Sequence, residues 1–106
     1  MNLKGIGDLM KKAQKMQAEM DRLQEAQRVE GSAGGGMVTA VANGRGELVS
    51  LRIDPEVAGE DREMLQDLVV AAANDALRKA RELMAQEMSR MMGGLGLPPG
   101  LLPPGP

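Results

Sequence analysis

MVTAVANGRGELVSLRIDP, from Met37 to Pro55, reads as two strands joined by a turn. Met37–Asn43 is rich in small and β-branched residues, and Asn43-Gly44 is a strong hairpin signal. Glu47–Ile53 alternates: Glu47, Val49, Leu51 and Ile53 share one face, and Leu48, Ser50 and Arg52 the other. Asp54-Pro55 ends the second strand, because proline cannot continue a ladder. Upstream, GSAGGG (Gly31–Gly36) interrupts the chain without the Gly-Lys-Ser/Thr of a phosphate-binding loop. Arg28–Ser32, just before the glycine run, is placed as a third short strand of an antiparallel meander.

Helical periodicity flanks this sheet on both sides. From Ile6 to Gln27, the residues Ile6, Leu9, Ala13, Met16, Met20 and Leu23 recur at alternating spacings of three and four. This is a narrow heptad seam, half of a two-helix contact, that turns polar at Gln27 and Glu30. Asp8 is expected in its first turn, where a carboxylate suits the helix dipole. After the sheet, Asp61 is a candidate N-cap, with Glu63 in the first turn of a helix running from Arg62 to Met92. Its apolar stripe is Leu65, Val69, Ala72, Ala76, Ala80 and Leu83, widened by Leu68, Ala73 and Met84. The alanines let that helix lie close against a sheet or another helix. The expected fold is α+β: a long helix, a short three-stranded antiparallel meander and a second long helix. Residues 1–92 form a single domain. Residues 93–106, with five Gly, five Pro and a repeated LPPG, are expected to be a disordered tail.

Composition narrows the chemistry. The 106 residues contain no Cys, His, Phe, Tyr or Trp. This removes disulfides, thiolate nucleophiles, cysteine or histidine metal ligands and the usual general base. Ser32, Ser50, Ser89 and Thr39 are the only hydroxyl side chains, so catalysis would fall to carboxylates, Lys and Arg. No enzyme activity, cofactor or metal is expected. Glu60, Asp61 and Glu63 lack the flanking ligands and central glycine of a calcium loop. No signal segment or membrane-length apolar run is visible, which makes the cytoplasm the expected compartment. A core without aromatic side chains is small, so self-association is expected to enlarge it.

The charge pattern carries a functional expectation. At 100° per residue, Lys4, Lys11, Lys15 and Arg22 fall within a sector of about 40°, roughly 150° from the seam, with Lys12 alongside. A line of cations about 27 Å long suits the regular charges of a phosphate backbone. A solvated charged face, with Asp8 and Lys12 as an i,i+4 pair, is the competing reading. On the second helix, Asn74, Arg78 and Arg81 share an outer face near Asp67 and Asp75, which offset the arginines. Without aromatic side chains for stacking, duplex DNA is a better partner than single strands.

GIGDLMKKAQKMQAEM, a glycine-rich strand with an Asn-Gly turn, LRIDPEV, EDREMLQDLVVAAANDALRKA and a closing LPPG together resemble the YbaB/EbfC family of bacterial nucleoid-associated proteins. The likeness runs from about Gly5 to Gly100; the second LPPG and the aromatic-free AAANDAL depart from the family pattern. The resemblance implies a homodimer with a central β-region and projecting helices. It implies duplex DNA binding, nucleoid organisation, gene regulation and location at the nucleoid. It also raises a recombination-repair or clamp-loader protein as a partner. With DNA contacts carried by the helices, charge and geometry select Lys4, Lys11, Lys12, Lys15 and Arg22, followed by Arg78 and Arg81. Val49, Leu51 and Ile53 are placed at the dimer core. The alternative function is a coiled-coil adaptor that binds another protein through the seam or the LPPG tail.

Overall fold

The computed structural model describes residues 3–59 and 61–94. In chain order the elements are α1 (Leu3–Ala26), β1 (Val29–Ala33), β2 (Val38–Ala42), β3 (Leu48–Ile53), α2 (Pro55–Ala58) and α3 (Arg62–Gly94). The sheet order is β1-β2-β3 with both pairs antiparallel, so the expected α+β meander between two long helices is present. Both LPPG segments, and all but the first two residues of the expected tail, lie outside the described residues.

The core forms where α3 crosses β1 and β2. Ala72, Ala76 and Ala80, one helical turn apart, bury against Val38, Ala40 and Ala42. Gly31 fixes how close the layers come: a Cβ built there would lie 2.1 Å from the backbone nitrogen of Ala76 and 2.8 Å from the carbonyl oxygen of Ala72. Helix backbone therefore rests directly on strand backbone. Leu65, Leu68, Val69 and Leu77 from α3 seal the rim, together with Val29, Ala33 and Ile53 from the sheet. The largest fully buried side chain is Val38, so the core of one chain is as slight as the composition implies.

Several local details differ from the expectation. The hairpin closes through Gly44-Arg45-Gly46, with Gly46 in the left-handed region at φ +80°, so Asn43 is not a left-handed turn residue. Asn43 is buried instead. Its Oδ1 accepts the N–H groups of Arg45 (3.0 Å) and Glu47 (3.1 Å), and its Nδ2 donates to Glu47 Oε1 (2.9 Å). Its side chain thus does the work that a tight two-residue turn would leave to the backbone. The strand alternation also breaks. Val41 pairs with Ser50 but Ala42 pairs with Leu48, which leaves Val49 as the extra residue of a β-bulge. Leu51 and Ile53 stay level with Ala40 and Val38 on the helix-covered face, but Leu48, not Val49, joins them beside Ala42.

Asp54-Pro55 ends β3 as expected and then opens the single-turn α2, where Asp54 Oδ1 accepts the Glu56 N–H at 2.9 Å. Asp61 caps α3, its Oδ1 accepting from the N–H groups of Glu63 (3.0 Å) and Met64 (3.2 Å). At the other end α3 continues two residues beyond the expected Met92. α1 begins at Leu3, so Asp8 stands in its second turn and the first turn carries no acid. Gly5 and Gly7 weaken a helix without breaking it. No residue of α1 is buried. The radius of gyration is 19.4 Å, against about 13 Å for a compact domain of this length. None of the described helices is long and apolar enough to cross a membrane.

Candidate nucleic-acid interface

The helix of α1 holds Lys4, Lys11, Lys12, Lys15 and Arg22 on one continuous rod, and all five side chains are exposed. The expected Asp8–Lys12 pair does not form: among the described residues, none of the five cations has a carboxylate within 4 Å. An exposed pair gains little from closing in water and costs the lysine rotamer freedom, so the two remain apart. The whole stripe is therefore charged, solvated and uncommitted.

α3 presents the opposite case. Arg78 Nη2 meets Asp75 Oδ1 at 2.6 Å, and its Nη1 meets Glu82 Oε1 at 3.2 Å. Lys79 Nζ takes the other oxygen of Asp75 at 3.1 Å. That same oxygen accepts the Ser32 N–H at 3.1 Å, tying α3 to the outer edge of β1. The Ser32 N–H and then the two cations hold the Asp75 carboxyl below its ordinary range, and Asp75 holds the Arg78 guanidinium above its own. Of the two aspartates expected to offset this face, only Asp75 does so; Asp67 pairs with neither arginine. Arg81 has no ion pair among the described residues and faces an open cavity of about 400 Å³, shared with Arg45.

The apolar surfaces are also divided. In α1 the seam residues Leu9, Met16 and Leu23 are 61%, 70% and 60% exposed. Its C-terminal part, from Met20, and Gln27 just beyond it flank a groove opposite Met84 and Met91 of α3. Leu48, Val49 and Leu51 on β3 are exposed, and Ile53 is half-buried, because α3 covers β1 and β2 and barely reaches β3. One chain thus leaves uncovered two of the three residues placed at the dimer core.

The model of the YbaB/EbfC DNA-binding family matches residues 1–95. The chain belongs to the YbaB/EbfC family. It is 54% identical over 100 residues to a nucleoid-associated protein of Acetivibrio thermocellus, covering 91% of this chain and 88% of that one. A nucleoid-associated protein of Pelotomaculum thermopropionicum is 53% identical over 97 residues, covering 88% and 92%. The crystal structure of the uncharacterized protein HP0035 from Helicobacter pylori superposes with a TM-score of 0.68 at 29% identity, covering 87% of this chain and 98% of that chain.

This YbaB/EbfC chain thus brings Lys4, Lys11, Lys12, Lys15 and Arg22 onto one rod, while Arg78 and Arg81 lie on a different helix with different surroundings. Arg45 escaped the sequence reading. It lies in the hairpin loop, remote in sequence from Arg81, and no periodicity within one element relates the two. Asn43 drew notice as a turn residue, whereas its buried amide is what anchors that loop.

Proposed function

We propose that this protein is a nucleoid-associated protein that binds the phosphate backbone of duplex DNA through the outer face of α1, as a homodimer. The observation that carries the reading is the row of exposed cations from Lys4 to Arg22, without an ion pair among the described residues, on a helix with no buried residue. Membership of a DNA-binding family and the names of the relatives support it. Phosphate contacts of this kind position a protein without reading base sequence, which suits a role in organising DNA and altering its conformation. Arg78 contributes less, because Asp75 and Glu82 already occupy it.

The homodimer reading rests on the uncovered surfaces. Asp75 takes up the Ser32 N–H on the outer edge of β1, whereas β3 is the opposite edge, with Leu48, Val49 and Leu51 exposed. An edge strand with exposed apolar side chains favours pairing, which supports Val49, Leu51 and the half-buried Ile53 at the dimer core. Light scattering is expected to give twice 11.2 kDa at micromolar concentration. A folded monomer there would overturn the dimer.

The DNA reading is tested by gel shift across a salt series, with duplex and single-stranded competitors. The change Lys11→Glu with Lys15→Glu should weaken duplex binding at least tenfold, similarly for all sequences, and flatten the slope of log affinity against log salt. Thermal stability should stay within about 0.5 kcal/mol, since both side chains face solvent. Unchanged affinity in the folded variant removes the stripe from the mechanism. Binding that is absent or insensitive to salt in the parent protein favours the other reading, an adaptor that receives a partner helix along the open α1 seam.

A further inference from the structure

Arg45 in the β2–β3 loop and Arg81 on α3 line the same open cavity, over a floor that includes Leu77, Ala80 and Met84. We propose that this notch is a second phosphate site, holding one backbone phosphate of duplex DNA between the two guanidinium groups. The proposal rests on the DNA-binding reading above and adds a contact site outside the α1 stripe.

Three features support it. The first is available charge. Among the described residues the Arg81 side chain has no ion pair or hydrogen bond, and the one ionic neighbour of Arg45 is Glu47, at 3.8 Å and beyond hydrogen-bonding range. Arg78, one turn away on α3, is saturated by comparison. The second is fixed backbone. Asn43 Oδ1 holds the Arg45 N–H at 3.0 Å, and Gly44 N–H donates to Gln24 O of α1 at 2.8 Å. Ala80, next to Arg81, is 1% exposed and locked in the core. With the backbone already ordered, gripping a tetrahedral oxyanion costs only the rotamer freedom of the two arginine side chains. The third is shape: the cavity is open, so it admits a phosphate that remains part of a polymer.

The notch is also separate from the stripe. Gln24, which touches Gly44, lies on the seam side of α1, roughly 160° around the helix from the Lys4–Arg22 line. The two sites share no partner, so a change at one leaves the contacts of the other intact.

The test uses the full chain and a 30-base-pair duplex, with Arg45→Gln, Arg81→Gln, the double change, and the corresponding lysine variants, each checked for an unchanged melting midpoint. The double glutamine variant should bind about tenfold more weakly, with a log–log salt slope about one smaller per chain. Lysine at both positions should recover part of the loss, because charge is kept and the fork is not. Combining the double change with Lys11→Glu and Lys15→Glu should lower affinity below that of either change alone. Unchanged affinity and slope in the double glutamine variant, with the parent binding normally, overturns the notch and leaves the stripe standing. A parent that binds no duplex overturns both. If the double glutamine variant melts early, the lysine pair decides: affinity no better than that of the glutamine pair assigns the arginines a structural role and overturns the proposal. Inorganic phosphate that perturbs the Gly44–Gly46 amides at micromolar concentration, where duplex does not, assigns the notch to a free anion and overturns it as well.

Discussion

Gly31→Ala tests the contact on which the fold depends. The new methyl carbon would stand 2.1 Å from Ala76 N and 2.6 Å from Ala76 Cα, both backbone atoms. Real Cβ atoms essentially never come within 3.0 Å of another heavy atom, so α3 or β1 must give way by at least 0.9 Å, and by 1.3 Å to restore ordinary contact at 3.4 Å. Neither movement is local. The strand is paired along its length with β2, and lifting α3 opens the packing of Ala72, Ala76 and Ala80 on Val38, Ala40 and Ala42. Overfilling a core typically costs about 1–3 kcal/mol when side chains can yield. Here backbone must yield, so the expected cost is about 3 kcal/mol or more. For a domain of this size that lowers the melting midpoint by about 12–24 °C. The assay is thermal and urea unfolding followed by circular dichroism, at fixed protein concentration because association shifts the midpoint. Gly59→Ala is the control: a Cβ there meets nothing within 4 Å, and the change should stay within about 0.5 kcal/mol. A Gly31→Ala protein that melts within about 2 °C of the parent refutes the close approach of helix and strand.

Gly7→Ala should stabilise α1 by about 0.5–1 kcal/mol, seen as stronger ellipticity at 222 nm and slower amide exchange in that helix; the added methyl meets nothing within 4 Å. Asn43→Ala should cost about 1–3 kcal/mol in urea unfolding, because the N–H groups of Arg45 and Glu47 lose their acceptor. Asp75→Asn should lower stability at neutral pH and flatten the acid limb of stability against pH. The Asp75 carboxyl is held below its usual 3.8, chiefly by the Ser32 N–H. Its contribution is therefore complete above that value and is lost as pH falls through the lowered native one. A difference between parent and variant that stays constant from pH 7 to pH 2 would show that the charge plays no part.

Much of the fold was legible in the residues because periodicity is local. The three- and four-residue spacing of Ile6–Leu23, the alanine stripe of α3 and the Asp61 cap all rest on neighbours within a turn or two, and each appears in place. The stripe from Lys4 to Arg22 is visible for the same reason: one continuous helix is enough to align it. The bulge at Val49 was not legible, since it depends on which residue of β2 each residue of β3 meets. Nor was the role of Asn43, whose amide is spent on a three-residue loop that the Asn-Gly pair alone does not specify.

The sequence by itself determined the element order, the face of α3 that meets the sheet and the cationic face of α1, because these follow from side chains repeated along one segment. Tertiary structure alone decided which charges remain available. Arg78 and Arg81 are three residues apart on the same helix, yet Asp75 and Glu82 take the first, while the second opens onto a cavity completed by Arg45 from the hairpin. It also decided why position 31 is glycine, since that requirement comes from the backbone of Ala76, brought across by folding. Contacts between distant segments carry no local pattern, and here they set both the tightness of the core and the charges left free for a partner.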